Sequence, residues 1–141
     1  MIVVNPYVNF DGNTEEAFDF YKSVFGGEFS LLMRMKDAPG MDISEDQKEK
    51  IMHIALPLSS GQVLMGSDAA CQKKEGAGVN NCNISIHAES IEEGQKLFDQ
   101  MSGGGSNIMP YEKQFWGAWH GHFTDKFGIG WMINYDHPEN Q

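Results

Sequence analysis

Alternation of apolar and polar residues divides the first half of the chain into a strand, a helix and three further strands. The helix is predicted from a polar cap at Asn13 with Glu16 three residues later, and from a stripe at helical spacing that ends before Gly26-Gly27. Ser59-Ser60-Gly61 joins two apolar runs and predicts a hairpin. The stripe comprises Ala17, Phe20, Tyr21, Val24 and Phe25, and the predicted strands cover 2–10, 28–36, 51–58 and 62–66.

The second half of the chain shows the same order of elements. A strand is predicted at 82–88, and Ser90 with Glu93 forms a second capping box. An apolar stripe of Leu97, Phe98 and Met101 ends at a run of three glycines. Further strands are predicted at about 106–109, 117–124 and 130–135.

The two halves align with each other, which indicates an internal duplication. An offset of 77 places Glu15-Glu16-Ala17 on Glu92-Glu93-Gly94, and an offset of 67 places Gly61 and Met65 on Gly128 and Met132. We therefore predict an α+β fold, in which one domain of residues 1–141 consists of two βαβββ modules at about 1–67 and 80–135.

Composition indicates the cellular compartment and the kinds of partner that we expect. Cys71 and Cys82 are expected to be free thiols of a reducing compartment, and the N-terminal residues lack the pattern of a signal peptide, so we expect a cytoplasmic protein. No apolar run is long enough to suggest a membrane span. The formal net charge of −10 argues against a nucleic-acid partner, which would need clustered basic side chains.

Candidate chemistry is concentrated in aromatic and histidine positions. Aromatic residues crowd the segment from Tyr111 to Trp119, and such a segment is expected to line a ligand pocket or a subunit contact. His120 and His122 share a strand face and could bind a metal with Glu112 or His53, or form a polar stripe. Asp125 is expected to belong to a turn.

Two runs of residues resemble a known family. One run begins Asn5-Pro-Tyr-Val-Asn-Phe-Asp-Gly-Asn13 and ends at Phe25-Gly-Gly27; the other includes Phe115-Trp-Gly117, Thr124-Asp-Lys-Phe-Gly128 and Trp131-Met-Ile-Asn134. Both are similar to the PhnB-like branch of the vicinal oxygen chelate superfamily, which includes glyoxalases, bleomycin-resistance proteins and dioxygenases. The resemblance implies that each module forms half of an open, mostly antiparallel barrel around a concave ligand site.

The resemblance also implies where a divalent metal would bind in catalytic members, namely on the first and last strands of each module. The repeat places these positions at about Pro6, Met65, Asn83 and Met132. None of these residues offers the imidazole or carboxylate that such metals require, and neither do their neighbours. We therefore expect no metal and no cofactor.

The resemblance thus favours a metal-independent, small-molecule-binding homodimer. The alternatives are a metal-dependent lyase, isomerase or dioxygenase, and a protein that sequesters an antibiotic. A methyltransferase label common in this branch finds no support, because the glycine-rich turn after a first strand is missing. The expected ligand-binding residues are Tyr7, His53, Phe115, Trp116, Trp119 and His122.

Overall fold

The computed structural model describes residues 3–38, 43–68 and 82–136. It divides into two compact units, Met1–Glu75 and Gly76–Gln141, and each contains one βαβββ module. The first module comprises β1 (Tyr7–Asn9), α1 (Thr14–Phe25), β2 (Leu31–Arg34), β3 (Ile51–Pro57) and β4 (Val63–Ser67). The second comprises β5 (Ile84–His87), α2 (Ile91–Ser102), β6 (Ser106–Lys113), β7 (Trp119–Thr124) and β8 (Gly130–Tyr135).

The two modules share one sheet topology. The strand orders are β1-β4-β3-β2 and β5-β8-β7-β6, with the first and last strands of each module parallel and the other pairs antiparallel. The predicted α+β class and the repeated βαβββ order are confirmed. The single-domain organisation of residues 1–141 remains a prediction.

In each module the helix packs against one face of the sheet and the core lies between them. Phe18 and Tyr21 of α1 are fully buried. In α2, Met101 is fully buried and Phe98 is nearly so. The sheet residues of the core are Ile51, Ile54, Leu56 and Leu64 in the first unit and Phe123, Trp131 and Ile133 in the second. The predicted stripe of α1 omitted Phe18, which is buried, and included Phe20, which is only half-buried.

Several boundaries differ from the sequence prediction. Strand β1 has three residues where 2–10 were expected; it is an edge strand of its sheet, and Pro6 lies just before it. Strand β6 continues through Pro110 to Lys113, so Tyr111 is a buried strand residue and not part of an aromatic loop. Cys71 and residues 39–42 lie outside the described residues.

The two helices begin in different ways. Ser90 caps α2 as predicted, since its hydroxyl oxygen accepts a hydrogen bond from the Glu93 backbone N–H at 3.0 Å. Asn13 makes no such side-chain bond in the described structure. The backbone N–H of Thr14 instead donates to the carboxylate of Asp68 at 3.2 Å, and Asp68 directly follows β4. The predicted local cap of α1 is therefore wrong, because a carboxylate distant in sequence takes its place.

No helix in the described ranges is both long and apolar enough to cross a membrane.

Candidate functional site

The histidines of β3 and β7, together with Tyr7 of β1, lie on the sheet faces that point away from the helices. Successive residues of a strand point to opposite faces. In β7, Gly121 and Phe123 are buried towards α2, whereas His120 is half-buried and His122 is exposed. In β4, Leu64 and Gly66 are buried towards α1 and Met65 lies on the other face.

Two predicted ligand-binding residues of the first module contact each other directly. Tyr7 Oη lies 3.1 Å from His53 Nδ1, and the two rings stack with centroids 5.6 Å apart. The residues come from β1 and β3, which are separated by β4. Tyr7 remains 45 % exposed although it is a large aromatic residue. An oriented ring and an imidazole are therefore presented together on this face.

The corresponding face of the second module carries a chain of three polar side chains. His120 Nδ1 lies 2.6 Å from Asn134 Oδ1, and Asn134 Nδ2 donates to Ser85 Oγ at 2.8 Å. His122 lies next to them, with its ring centroid 5.9 Å from that of His120. The predicted shared face of the two histidines is confirmed. The sequence prediction missed Ser85 and Asn134, although their alternation within β5 and β8 was a usable signal.

The strand register shows that His53 and His120 occupy the same position in the two modules. Tyr7 pairs with Met65 and Ser85 pairs with Met132, so the first strands are related by an offset of 78 and the last strands by 67. Pairing of β3 with β4 and of β7 with β8 then places His53 on His120. The predicted offset of 77 holds for the helices but is wrong by one for the first strands.

The predicted aromatic residues do not gather on one face of the second module. Phe115 and Trp116 lie in the turn between β6 and β7, where they are 97 % and 52 % exposed and form an edge-to-face pair. Trp119 lies on the helix side of β7, next to Tyr111, with ring centroids 5.5 Å apart. It lines a depression of about 540 Å³ together with polar residues of α2. His122 points to the opposite face.

The side chains of Tyr111 and Asp125 form hydrogen bonds within the fold of the second module. Tyr111 donates to the Ile91 carbonyl at 3.2 Å, and its burial, with Glu92 nearby, raises the pKa of its phenol. The Asp125 carboxylate accepts hydrogen bonds from the N–H groups of Phe127 and Ile129 and from the Trp131 indole. The predicted turn at Asp125 is confirmed.

Comparison with known proteins agrees with the sequence resemblance. The family model described as 3-demethylubiquinone-9 3-methyltransferase matches residues 3–134. The chain belongs to this family. This PhnB-like chain is 36 % identical to a solved structure, that of protein PA1353 from Pseudomonas aeruginosa, with a TM-score of 0.83 and coverage of 96 % and 98 % of the two chains.

Two further relatives extend the comparison. Protein YjdN of Escherichia coli K12 is 28 % identical over 140 residues, which cover 93 % of each chain. A structure from Bacillus cereus described as a putative 3-demethylubiquinone-9 3-methyltransferase, PhnB protein, is 23 % identical, with a TM-score of 0.76 and coverage of 96 % and 100 %. A glyoxylase/bleomycin resistance protein/dioxygenase domain from Frankia sp. EAN1pec is 13 % identical with a TM-score of 0.65, so it shows the glyoxalase-like fold alone.

The residues of this PhnB-like chain do not fit the divalent metal of catalytic glyoxalase-fold proteins. With the corrected offset, the first-strand positions are Asn5 and Asn83 or Tyr7 and Ser85, and the last-strand positions are Met65 and Met132. Neither carboxylate nor imidazole is among them. Among the described residues, no three His, Cys, Asp or Glu side chains lie close enough to hold a metal, and this includes the alternative set of His120, His122 and Glu112.

Proposed function

We propose that this PhnB-like protein binds a small organic molecule in an aromatic-lined cavity, without the divalent metal of catalytic glyoxalase-fold proteins. The observation that carries the proposal is the contact between Tyr7 and His53. Ligand sites combine apolar or aromatic surface with a few oriented polar groups. Tyr7 and His53 supply both features at an exposed position, and their mutual hydrogen bond restricts the two rings before a ligand arrives.

Charge supports a small molecule over a nucleic acid, since a chain with a formal net charge of −10 repels phosphates. Methyl transfer, which the family description names, is not part of the proposal. The usual methyl-donor-binding fold is a parallel sheet with a glycine-rich first turn. Each described sheet of this chain has one parallel pair and two antiparallel pairs.

A metabolite library screened by tryptophan fluorescence and melting temperature tests the proposal. A compound that binds the folded protein at a concentration of about 100 Kd stabilises it by about 2.7 kcal/mol and raises the melting temperature. We expect Tyr7→Ala to weaken the binding of such a compound by about tenfold, because the variant loses both the stacking surface and the hydrogen bond.

Ile108→Ala is a matched control, since Ile108 is 50 % exposed and belongs to the other module. It should leave the affinity unchanged. A library in which no compound shifts either signal would remove the basis for the binding proposal. If a compound bound Tyr7→Ala and the wild type with the same affinity, its binding site would not include Tyr7 and His53.

We also propose that the protein is a homodimer that uses the exposed aromatic turn. Phe115 and Trp116 expose adjacent aromatic rings, which is a costly arrangement for a monomer. Light scattering coupled to size exclusion should give the mass of two chains for the wild type. The double variant Phe115→Ser and Trp116→Ser should give the mass of one chain. The control double variant Val3→Ser and Val4→Ser, at comparably exposed positions, should still give the mass of two chains. A monomeric wild type would contradict the proposal.

A further inference from the structure

The open face of the first sheet, which is the face that points away from α1, has no charged side chain among its described residues. Strand pairing places on it, besides Tyr7 and His53, the apolar residues Leu31, Met33, Ala55, Pro57, Val63 and Met65. Asn9 and Ser67 are the polar, uncharged members. Leu31 is 44 % exposed, so solvent reaches this face. In a chain with twenty acidic and ten basic side chains, an accessible face without any of them indicates an apolar ligand or partner.

The second sheet shows that the shared topology does not require an uncharged face. Its residues at the positions of Met33 and Ala55 are Glu112 and His122, as the strand pairing shows. The second face thus carries ionisable groups where the first carries apolar ones. Neither face packs against the helix of its module, so packing of the helix does not explain the difference. The uncharged character is specific to the first module.

One row of residues crosses the first sheet from edge to edge. Tyr7, Met65, Ala55 and Leu31 pair in this order on β1, β4, β3 and β2. Neighbouring strands are about 4.8 Å apart, so the row extends over about 14 Å. Ala55 is its smallest side chain and lies between the longer, adaptable side chains of Met65 and Leu31. The row can therefore accommodate an elongated apolar body.

Tyr7 and His53 supply hydrogen bonds at one end of this row, whichever of the two donates in their mutual bond. If Tyr7 Oη donates to His53 Nδ1, the neutral imidazole carries its proton on Nε2 and the phenol oxygen can still accept. If Nδ1 donates instead, Nε2 accepts and the phenol hydroxyl can donate elsewhere. Either arrangement offers one donor and one acceptor, which an uncharged hydroxyl or carbonyl group can use. An ion would find no counter-charge on this face, and an unpaired charge is costly to bury.

We propose that the open face of the first sheet binds an uncharged, elongated apolar molecule with a single hydroxyl or carbonyl group. The polar group lies at Tyr7 and His53, and the apolar body lies along Met65, Ala55 and Leu31. This inference rests on the proposed small-molecule binding and adds the class of ligand. No covalent bond is formed or broken in the interaction.

Three probes with the same octyl chain and different charge test the proposal, namely 1-octanol, octanoate and octylammonium. At a pH of about 8 the last two are charged. Carbon-13 methyl spectra of methionine in the full-length protein report binding. 1-Octanol should shift the signals of Met33 and Met65, assigned by substitution with Leu, but not that of Met132, which is equivalent to Met65 in the second module. The charged probes should bind at least about tenfold more weakly, because each would bury an unpaired charge.

Lysine substitutions on the face provide matched variants. Met65→Lys should reverse the preference, so that octanoate binds more tightly than 1-octanol, because the carboxylate gains a counter-charge. Leu31→Lys should do the same, and its exposed position keeps the test available if a charge at half-buried Met65 prevents folding. Met132→Lys makes the same change in the second module and should keep the preference for 1-octanol.

Either charged probe binding the wild type as tightly as 1-octanol would overturn the inference. Shifts confined to Met132, or an unchanged preference in folded Leu31→Lys, would also contradict it.

The inference and the proposed function fail in distinguishable ways. Neutral, apolar compounds from the metabolite library that lose affinity in Tyr7→Ala support both. If the compounds that bind through Tyr7 are charged, the ligand class is wrong and the proposed function stands. If neither the library compounds nor the octyl probes bind, both are wrong.

Discussion

At the scale of single residues, the Asp68 carboxylate accepts four hydrogen bonds that the sequence did not reveal. It is 8 % exposed and follows β4 directly. One carboxylate oxygen accepts from the N–H groups of Gly12 and Thr14 and from the Thr14 hydroxyl, and the other accepts from the Ile51 N–H at 2.9 Å. A single side chain thus joins the start of α1, the start of β3 and the end of β4.

We expect Asp68→Asn to lower the free energy of unfolding by about 1–3 kcal/mol, because one of the two acceptor positions would be taken by an NH₂ group facing an N–H donor. Urea unfolding followed by circular dichroism measures the change. Asp19→Asn is the matched control, since Asp19 is exposed on α1, and it should change stability by less than about 0.5 kcal/mol. Equal stability of Asp68→Asn and wild type would show that the buried bonds contribute little.

Some residues of the candidate site could be named from the sequence, but Ser85 and Asn134 could not, and neither could the contacts between the residues. Tyr7 and His53 were both recognisable as candidates, yet they are 46 positions apart and meet only because β4 pairs with β1 and β3. The shared face of His120 and His122 followed from strand alternation alone. The bonds to Asn134 and Ser85 depend on the register between three strands, which alternation does not determine.

At the scale of secondary-structure elements, each sheet contains one glycine that allows close approach of a helix aromatic. Gly66 is opposite Ile54 in the first sheet, and Gly121 is opposite Ile133 in the second. The glycine is on the last strand of one module and on the third strand of the other. Phe18 packs against Gly66 and Phe98 against Gly121, so the modules solve the same packing problem with exchanged positions.

Gly121→Ala should destabilise the second module by about 1–3 kcal/mol through overpacking. An added Cβ would lie 2.7 Å from Tyr111 Cα and 2.8 Å from Tyr111 N, and backbone atoms of β6 cannot move aside as a flexible side chain can. Thermal unfolding measures the loss. At Gly103 a Cβ meets no described atom within 4 Å, so Gly103→Ala should be neutral. A Gly121→Ala variant with unchanged melting temperature would contradict this account of the packing.

At the scale of the whole molecule, the order of elements was predictable because it depends on local signals. Helix stripes, terminal glycines and hairpin turns are each encoded within a few residues. The alignment of the two modules was less accurate, since one residue more separates Tyr7 from Thr14 than separates Ser85 from Ile91. This difference explains why helices and first strands require different offsets.

The metal content of the purified chain should be well below one ion per molecule after dialysis against Zn²⁺ or Mn²⁺, and EDTA should not change its melting temperature. The reason is the asparagine, tyrosine, serine and methionine residues at the positions where metal ligands would be needed. Elemental analysis measures the content. A stoichiometric ion that is lost in His53→Gln or His122→Gln, but kept in His87→Gln, would contradict the prediction.

The different caps of the two helices have a consequence for the order of folding events. Ser90 lies three residues from the N–H group that it satisfies, so α2 can begin as soon as its own segment becomes helical. Asp68 is 54 positions from Thr14. Helix α1 therefore lacks this cap until the end of β4 reaches it, which requires closure of a long segment of chain. We therefore expect the duplicated halves, despite their common topology, to acquire their helices at different stages of folding.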